Sequence, residues 1–281
     1  MSRSRKTSEF SGQSVLVTGA AAGMGRGLCL ELCRLGASVY AGDIQEAKLA
    51  TLPDEAQGDG SITTLSLDVS DAQQFAGAFE LILEQCGSLD MVINNAGIVV
   101  GGDFRDTSLE EIEKITAINY WGVIYGTKQA YDIMTDQGSG HIVNVASPAG
   151  MMPVPLSTAY SATKHAVVGL SHSLRSEAAL YGVKVSVVLP GMVTSELWDN
   201  AINTGDYDYK KEMESTGLAQ ITARDAAVAI LKGVSDNQED IRIPFTNKVI
   251  VKLYRTFPEI MTGVVTGPLL KPLKRSLKGG K

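Results

Sequence analysis

Short apolar runs rich in β-branched residues alternate with longer amphipathic segments from residue 14 to about residue 245. The first run, SVLVTG at 14–19, has the length and continuous apolar character of a strand buried on both faces. It is followed at 23–35 by a segment of helical periodicity that Gly36 closes. The same alternation predicts strands at 38–43 (SVYAGD), 62–69 (ITTLSLDV), 89–97 (LDMVINNAG), 141–147 (HIVNVAS), 183–191 (VKVSVVLPG) and 240–245 (DIRIPF). Between them fall predicted helices at 71–86, 108–134, 157–181 and 222–233. Strands set apart by helical segments of this length need crossover connections, so the pattern predicts an α/β fold. The expected architecture is a doubly wound parallel sheet of about seven strands with helices on both faces. No linker or repeat divides 11–245, which reads as one domain, preceded by a flexible segment at 1–10 and followed by an extension at 246–281.

Sheets of this kind bind ligands beyond the carboxyl ends of their strands, where Gly19, Asp43, Asp68, Asn95, Ser147 and Pro190 all fall. TGAAAGMG at 18–25 opens a helix directly after the first strand. Glycines there allow a tight turn and close approach of backbone to a pyrophosphate, and the helix N-terminus supplies unpaired N–H groups. The spacing G-x-x-x-G-x-G departs from the G-x-G-x-x-G dinucleotide fingerprint, so the turn also has a purely structural reading. Asp43 adds weight, because it ends the second strand 18 residues after Gly25, where a carboxylate can accept hydrogen bonds from ribose hydroxyls. The same charge would repel a 2′-phosphate, which favours NAD over NADP, and Ala22 offers no compensating cation. Arg26 is nearby but can equally face outward, and an ordinary strand-end cap is the lesser alternative for Asp43.

STAYSATKHAV at 157–167 places Tyr160 and Lys164 at i and i+4, one helical turn apart on one face. A free phenol and a free ammonium both titrate near ~10, too high for proton transfer at neutral pH. Held together, the ammonium would stabilise the phenolate and lower the tyrosine into a working range. A half-exposed tyrosine beside a solvated lysine is the plain alternative.

Composition narrows the choice of partners. The chain is 44% hydrophobic and 20% charged, enough for a large core, and its net charge of −6 argues against a general nucleic-acid binder. The charge is uneven: residues 246–281 carry eight Lys or Arg against the single Glu259, a local +7 that leaves −13 for the rest. MSRSRKTSEFSGQ has no apolar run behind its basic residues, so no signal peptide is expected, and the uncharged stretch at 260–270 is too short to span a bilayer. Three cysteines fit a reducing cytoplasm, and Cys29 and Cys33 read as small core side chains because no further ligands complete a metal site.

The ordered set TGAAAGMG, DV at 68–69, NNAG at 94–97, Asn119, Ser147, Tyr160 with Lys164, and PG at 190–191 resembles the short-chain dehydrogenases/reductases, over about residues 10–245. The resemblance implies a Rossmann-like domain and NAD(P)-dependent oxidoreduction of a CH–OH group. It assigns Gly19, Gly23, Met24 and Gly25 to the cofactor turn, Asp43 to the adenosine ribose, and Asp68 with Val69 to the adenine. Asn95, Ala96 and Gly97 would line the adenosine side. Tyr160 would be the acid/base and Lys164 would tune it and bond the nicotinamide ribose. Ser147 would orient the substrate oxygen, Asn119 would position a water linking Lys164 to solvent, and the Val193 backbone would bind the carboxamide. The family's usual threonine five residues after the proline is here Ser195, with Thr194 just before it, so either hydroxyl can serve. The family also implies a substrate lid at about 192–216 and a homodimer or homotetramer through 108–134 and 157–181, with Ala162, Ala166 and Gly169 on the shared face.

Met192, Leu197, Trp198, Tyr207 and Tyr209 make the expected lid apolar, which suggests a bulky, lipophilic alcohol or ketone. A hydrolase built on Ser147 and a histidine is disfavoured, because VASPAG lacks the G-x-S-x-G elbow. A catalytically silent dinucleotide-binding scaffold would have no use for Asn119, Ser147, Tyr160 and Lys164 together. The basic extension has two readings, a peripheral membrane segment or a tail packed on its own or a neighbouring subunit, and Pro258, Pro268 and Pro272 favour packing by interrupting any long amphipathic helix.

Overall fold

The computed structural model describes residues 9–194, 196–215 and 220–270. The first half of the chain forms β1 (Ser14–Thr18), α1 (Gly23–Arg34), β2 (Ser38–Asp43), the short α2 (Glu46–Leu49), β3 (Ser61–Ser66), α3 (Ala72–Cys86) and β4 (Met91–Asn94). Then come β5 (Val100–Gly101), α4 (Leu109–Thr116), α5 (Gly122–Gln137), β6 (Gly140–Val145), α6 (Thr158–Ala178) and β7 (Val183–Pro190). The remainder is β8 (Ile202–Asn203), α7 (Tyr209–Ser215), α8 (Ala223–Ser235), β9 (Asp240–Ile243), α9 (Phe245–Thr256) and α10 (Pro258–Leu269).

Seven strands pair in parallel in the order β3-β2-β1-β4-β6-β7-β9. Successive side chains of a strand point to opposite faces, and the central strands β1 and β4 are buried on both. Val15 and Val17 of β1 join Leu28 and Leu32 of α1 and Ala227 and Ile230 of α8 in one layer. Leu16, between them, joins Phe75 and Phe79 of α3 and Ala130 and Met134 of α5 in the other. After β3 the chain returns to pair β4 on the far side of β1, so the connections leaving β1 and β4 diverge and open a crevice at their carboxyl ends.

Helix ends follow local chemistry. Asp71 caps α3, accepting from the Gln73 N–H at 2.8 Å, and the helix closes at Gly87 in the left-handed region. Ser108 and Glu111 form a reciprocal capping box on α4, and the Thr222 hydroxyl caps α8. Ala22, at the start of α1, offers no side-chain cap, so the first N–H groups of that helix are left for another partner.

Besides the short helices α2 and α7, three features depart from the predicted pattern. The single helix expected at 108–134 is interrupted by a π-helical turn, Ala117–Trp121, between α4 and α5. The two-residue strands β5 and β8 pair in parallel across a hundred positions of sequence, and neither is long enough to show periodicity. Beyond β9 the chain continues as two helices. Val251 of α9 is completely buried, and Pro258 sits in the first position of α10, where its missing N–H is no loss. Among the described residues no helix is long and apolar enough to cross a membrane.

Candidate active site

The turn between β1 and α1 is shaped by steric exclusion. A Cβ on Gly19, whose φ is +68°, would lie 2.8 Å from the Ala96 Cα, and one on Gly25 would lie 2.0 Å from the Gly19 carbonyl oxygen. Gly23 is also left-handed, at φ +52°. Asn95 braces this turn from β4: its Nδ2 donates to the Thr18 carbonyl at 2.8 Å and to the Gly19 carbonyl at 3.2 Å. The Thr18 hydroxyl answers by accepting from the N–H groups of Asn95 and Ala96 at 3.0 and 3.1 Å. The side chain of Asn95 thus acts on the backbone of the turn. Thr18, which the sequence reading passed over, is its reciprocal partner. Met24 packs down onto the core beneath the turn.

This cradle suits an anionic dinucleotide, because it joins a crowded turn of small residues to a helix start that has no side-chain cap. Asp43 closes it on the β2 side. Its carboxylate accepts from the Ala21 N–H and from the Gln45 N–H, both at 2.9 Å, and is largely buried. Arg26 crosses over the turn instead of facing outward: it donates to the Ala21 carbonyl at 3.2 Å and to Thr51 at 2.8 Å, and it pairs with Glu55 at 2.8 Å. Asp68 accepts from the Ser70 N–H and hydroxyl at 2.9 and 2.7 Å, shaping the loop into α3. Val69 packs over Gly122, where a Cβ would come within 2.9 Å of it.

The second half of the site is held by α6 and the π-helical turn. Tyr160 and Lys164 are both buried on α6, and the Lys164 Nζ lies 5.7 Å from the centroid of the Tyr160 ring while donating to the Val145 carbonyl at 3.0 Å. Burial lowers Lys164 to a pKa of about 8. Burial also pushes the Tyr160 phenol up, Tyr209 adds to the shift, and a hydrogen bond with Ser147 opposes it. The sequence reading expected the ammonium to lower the phenol. Here desolvation outweighs the other influences on it, and one N–H of the Lys164 ammonium goes to the Val145 carbonyl. Ser147 also caps the short turn Pro148–Gly150 by accepting from the Ala149 N–H at 3.2 Å.

Asn119 is completely buried within the π-helical turn. It grips both sides of Ile98, accepting from its N–H at 2.8 Å and donating to its carbonyl at 2.9 Å. A Cβ on Gly97 would stand 3.2 Å from the Asn119 Oδ1 and 3.5 Å from the Lys164 Nζ, so these three residues meet at one point. Thr163, also unforeseen, ties the group together: it donates to the Tyr160 carbonyl at 2.8 Å and lies 3.5 Å from the Asn119 Nδ2. Interrupted helices of this type recur at functional sites because the extra residue turns a side chain out of register. No group of three or more potential metal-ligating side chains occurs among the described residues.

Apolar residues cover Tyr160 from the segment after β7. Met192, Tyr209 and Met213 are buried in one cluster with Tyr160, and Leu197, Trp198 and Tyr207 pack against it. Trp198 stacks on Tyr209 at 5.7 Å and donates to the Val193 carbonyl at 3.2 Å. The segment is fastened to the loop after β4, where the Ile202 N–H donates to Val99 and the Thr204 N–H to Gly101, both at 2.9 Å. A side chain at Gly101 would collide with the Tyr209 ring, which comes within 2.1 Å of its Cβ position. Thr194 turns its hydroxyl toward Gln220 at 3.4 Å, and Ser195 lies outside the described residues. The histidines are engaged elsewhere: His141 with Ser186 at 2.9 Å, His165 with the Ser161 carbonyl at 2.8 Å, and His172 with Asp240 at 2.7 Å.

The sequence profile of the short chain dehydrogenases matches residues 13–205. The chain is similar to dehydrogenase/reductase SDR family protein 7-like of Anopheles gambiae, with 30% identity over 249 residues, 86% of this chain and 78% of the relative. Among solved structures it is similar to a short-chain dehydrogenase/reductase from Burkholderia phymatum in complex with NAD, with TM-score 0.81 and 25% identity over 90% of this chain and 96% of that one. It is also similar to a short-chain dehydrogenase from Sphingobium yanoikuyae in complex with NADPH, with TM-score 0.73 and 25% identity over 83% and 88% of the two chains. A dinucleotide cradle, a buried Tyr160 and Lys164 on α6, and these likenesses along most of the chain agree: the protein belongs to the short-chain dehydrogenase/reductase family and is an oxidoreductase that uses a dinucleotide cofactor.

Proposed function

We propose that the protein transfers a hydride between NAD(H) and a bulky, lipophilic secondary alcohol or ketone. The observation that carries the reading is the meeting of Tyr160, Ser147, Lys164 and Asn119 beneath one apolar lid. The nicotinamide supplies the hydride donor or acceptor. The residues of the chain hold the cofactor and move the proton. Burial keeps Tyr160 protonated at neutral pH, the form that donates its hydroxyl proton to a ketone oxygen, and Ser147 hydrogen-bonds the same oxygen as charge develops. Lys164, with a pKa of about 8, is mostly cationic at pH 7 and stabilises the phenolate that remains. Asn119 fixes the Ile98 backbone beside it and so holds the floor of the site.

The preference for NAD rests on Asp43, whose buried carboxylate would oppose a 2′-phosphate, and on Arg26, which is committed to Glu55, Thr51 and the Ala21 carbonyl. The lipophilic substrate rests on Met192, Trp198 and Tyr209 above the phenol. We further propose a homodimer or homotetramer, since Ala162 and Gly169 of α6 face solvent and Trp121 is half exposed beside α5. Tyr160→Phe tests the central assignment. It should lower kcat by about 10²–10⁴-fold while NADH binding is retained, because it removes the proton carrier and almost no volume. Turnover equal to the wild type in a screen of secondary alcohols would overturn it.

A further inference from the structure

We infer that the outer face of α9 and α10 docks the protein onto an anionic lipid bilayer. Val249, Leu253, Phe257, Ile260 and Val264 recur at intervals of four, four, three and four residues, and each is between 43 and 68% exposed. Within each helix that spacing puts the residues in a stripe on one side, Val249 and Leu253 on α9 and Ile260 and Val264 on α10, with Phe257 exposed at the junction between them. Five of the twelve large apolar side chains exposed among the described residues therefore lie within these 16 positions. Val251, on the opposite side of α9, is completely buried, so the helix is anchored to the domain through one face and leaves the other uncovered. Pro258, expected to stop an amphipathic segment, divides it into two helices, each of which carries exposed apolar residues.

Charge selects the occupant. Lys252 and Arg255 are exposed beside the stripe on α9, and residues 246–281 carry +7 in all, whereas the rest of the chain carries −13. A body of that charge is repelled by anionic headgroups, so only this end can face them. Pairing of two copies through the same face would bring like charge against like charge. A lipid boundary accepts the apolar stripe and pairs the cations, and neither helix is long enough to do more than lie in it. The Ile243 carbonyl at the end of β9 accepts from the Gly191 N–H at 2.7 Å, so α9 starts on the rim from which the lid departs. Delivery of a lipophilic substrate to that rim rests on the function proposed above; docking does not.

The test is co-sedimentation of the full-length protein with vesicles of phosphatidylcholine plus phosphatidylserine, and with phosphatidylcholine alone, at low and high salt. Wild-type protein is expected to bind the anionic vesicles at low salt and to leave them at high salt. Reversing a cation changes the charge by two, so Lys252→Glu and Arg255→Glu should each weaken partitioning roughly 25-fold. Leu253→Asp with Ile260→Asp should abolish it, with NADH binding and melting temperature unchanged. If the aspartates lower the melting temperature, Leu253→Ala with Ile260→Ala carries the test in their place. Failure of the wild type to bind anionic vesicles, or equal binding by the stripe variant, would overturn the proposal. So would a fall in oligomer mass in the stripe variant without any vesicle binding by the wild type, which would make the stripe a contact between copies.

Discussion

Gly25→Ala adds one methyl group at the place where α1 approaches β1 most closely. The new Cβ would stand 2.0 Å from the Gly19 carbonyl oxygen and 2.6 Å from the Asn95 Nδ2. Carbon–oxygen contacts between unbonded atoms need more than about 3 Å, so roughly 1 Å of movement must be found. The neighbour on one side is backbone, and that carbonyl already accepts from Asn95 at 3.2 Å. Either the start of α1 retreats from β1 or the Gly19 peptide rotates and releases Asn95. Overpacking of this kind costs about 1–3 kcal/mol of stability. The displaced atoms are the N–H groups and turn that cradle the pyrophosphate, so NADH affinity should fall by more than tenfold. Calorimetric titration with NADH and a thermal melt measure the two effects. Gly77→Ala is the control, because it lies within α3 with nothing inside 4 Å of its Cβ position. It should leave affinity alone and raise stability by up to about 1 kcal/mol. A Gly25→Ala protein that binds and melts like the wild type would refute the steric argument.

Lys164 titrates at about 8 in the fold against 10.5 when free, so its charge destabilises the fold below pH 8 and this penalty disappears as pH rises to 10.5. Lys164→Met should therefore gain up to ~3 kcal/mol at pH 7, an advantage that shrinks toward pH 10.5, while turnover is lost; a lower melting temperature than wild type at pH 7 would contradict this. Burial and the cations Lys184 and Arg175 hold His141 neutral down to a pKa of about 3, against 6.5 in the free side chain. The stability this represents is complete above pH 6.5 and is lost as pH falls toward 3, so His141→Gln should show a shallower loss over that window by chemical denaturation, and equal slopes would count against it. Asp43→Ala should narrow the ratio of kcat/KM for NAD(H) over NADP(H), and should weaken both because the Ala21 N–H loses its tether. A wild-type enzyme that already prefers NADP(H) would remove that assignment.

The succession of strands along the chain and the positions of the rim residues were legible in the sequence, because both depend on local pattern. A run such as SVLVT carries three consecutive apolar residues, Val15, Leu16 and Val17, as a strand buried on both faces requires, and the residue after it falls at the carboxyl edge. Gly19, Asp43 and Asn95 were therefore placeable, and Tyr160 and Lys164 shared a helix face by spacing alone. Other features belong to contacts between distant segments. The π-helical turn shifts Asn119 by a fraction of a helical turn, too little to mark the periodicity of 108–134, yet it delivers the side chain to Ile98. Thr18 and Asn95 are paired only because β1 and β4 are neighbours, and Tyr209 reaches Tyr160 only through the pairing of β5 with β8. The upward direction of the Tyr160 shift was not legible from spacing, since a neighbouring ammonium is visible in the sequence and the loss of water around the phenol is not. The same limit applied at the end of the chain, where sequence supplied the charges and the prolines. Which side of α9 faces the core was settled by the burial of Val251, a property of the surface it packs against.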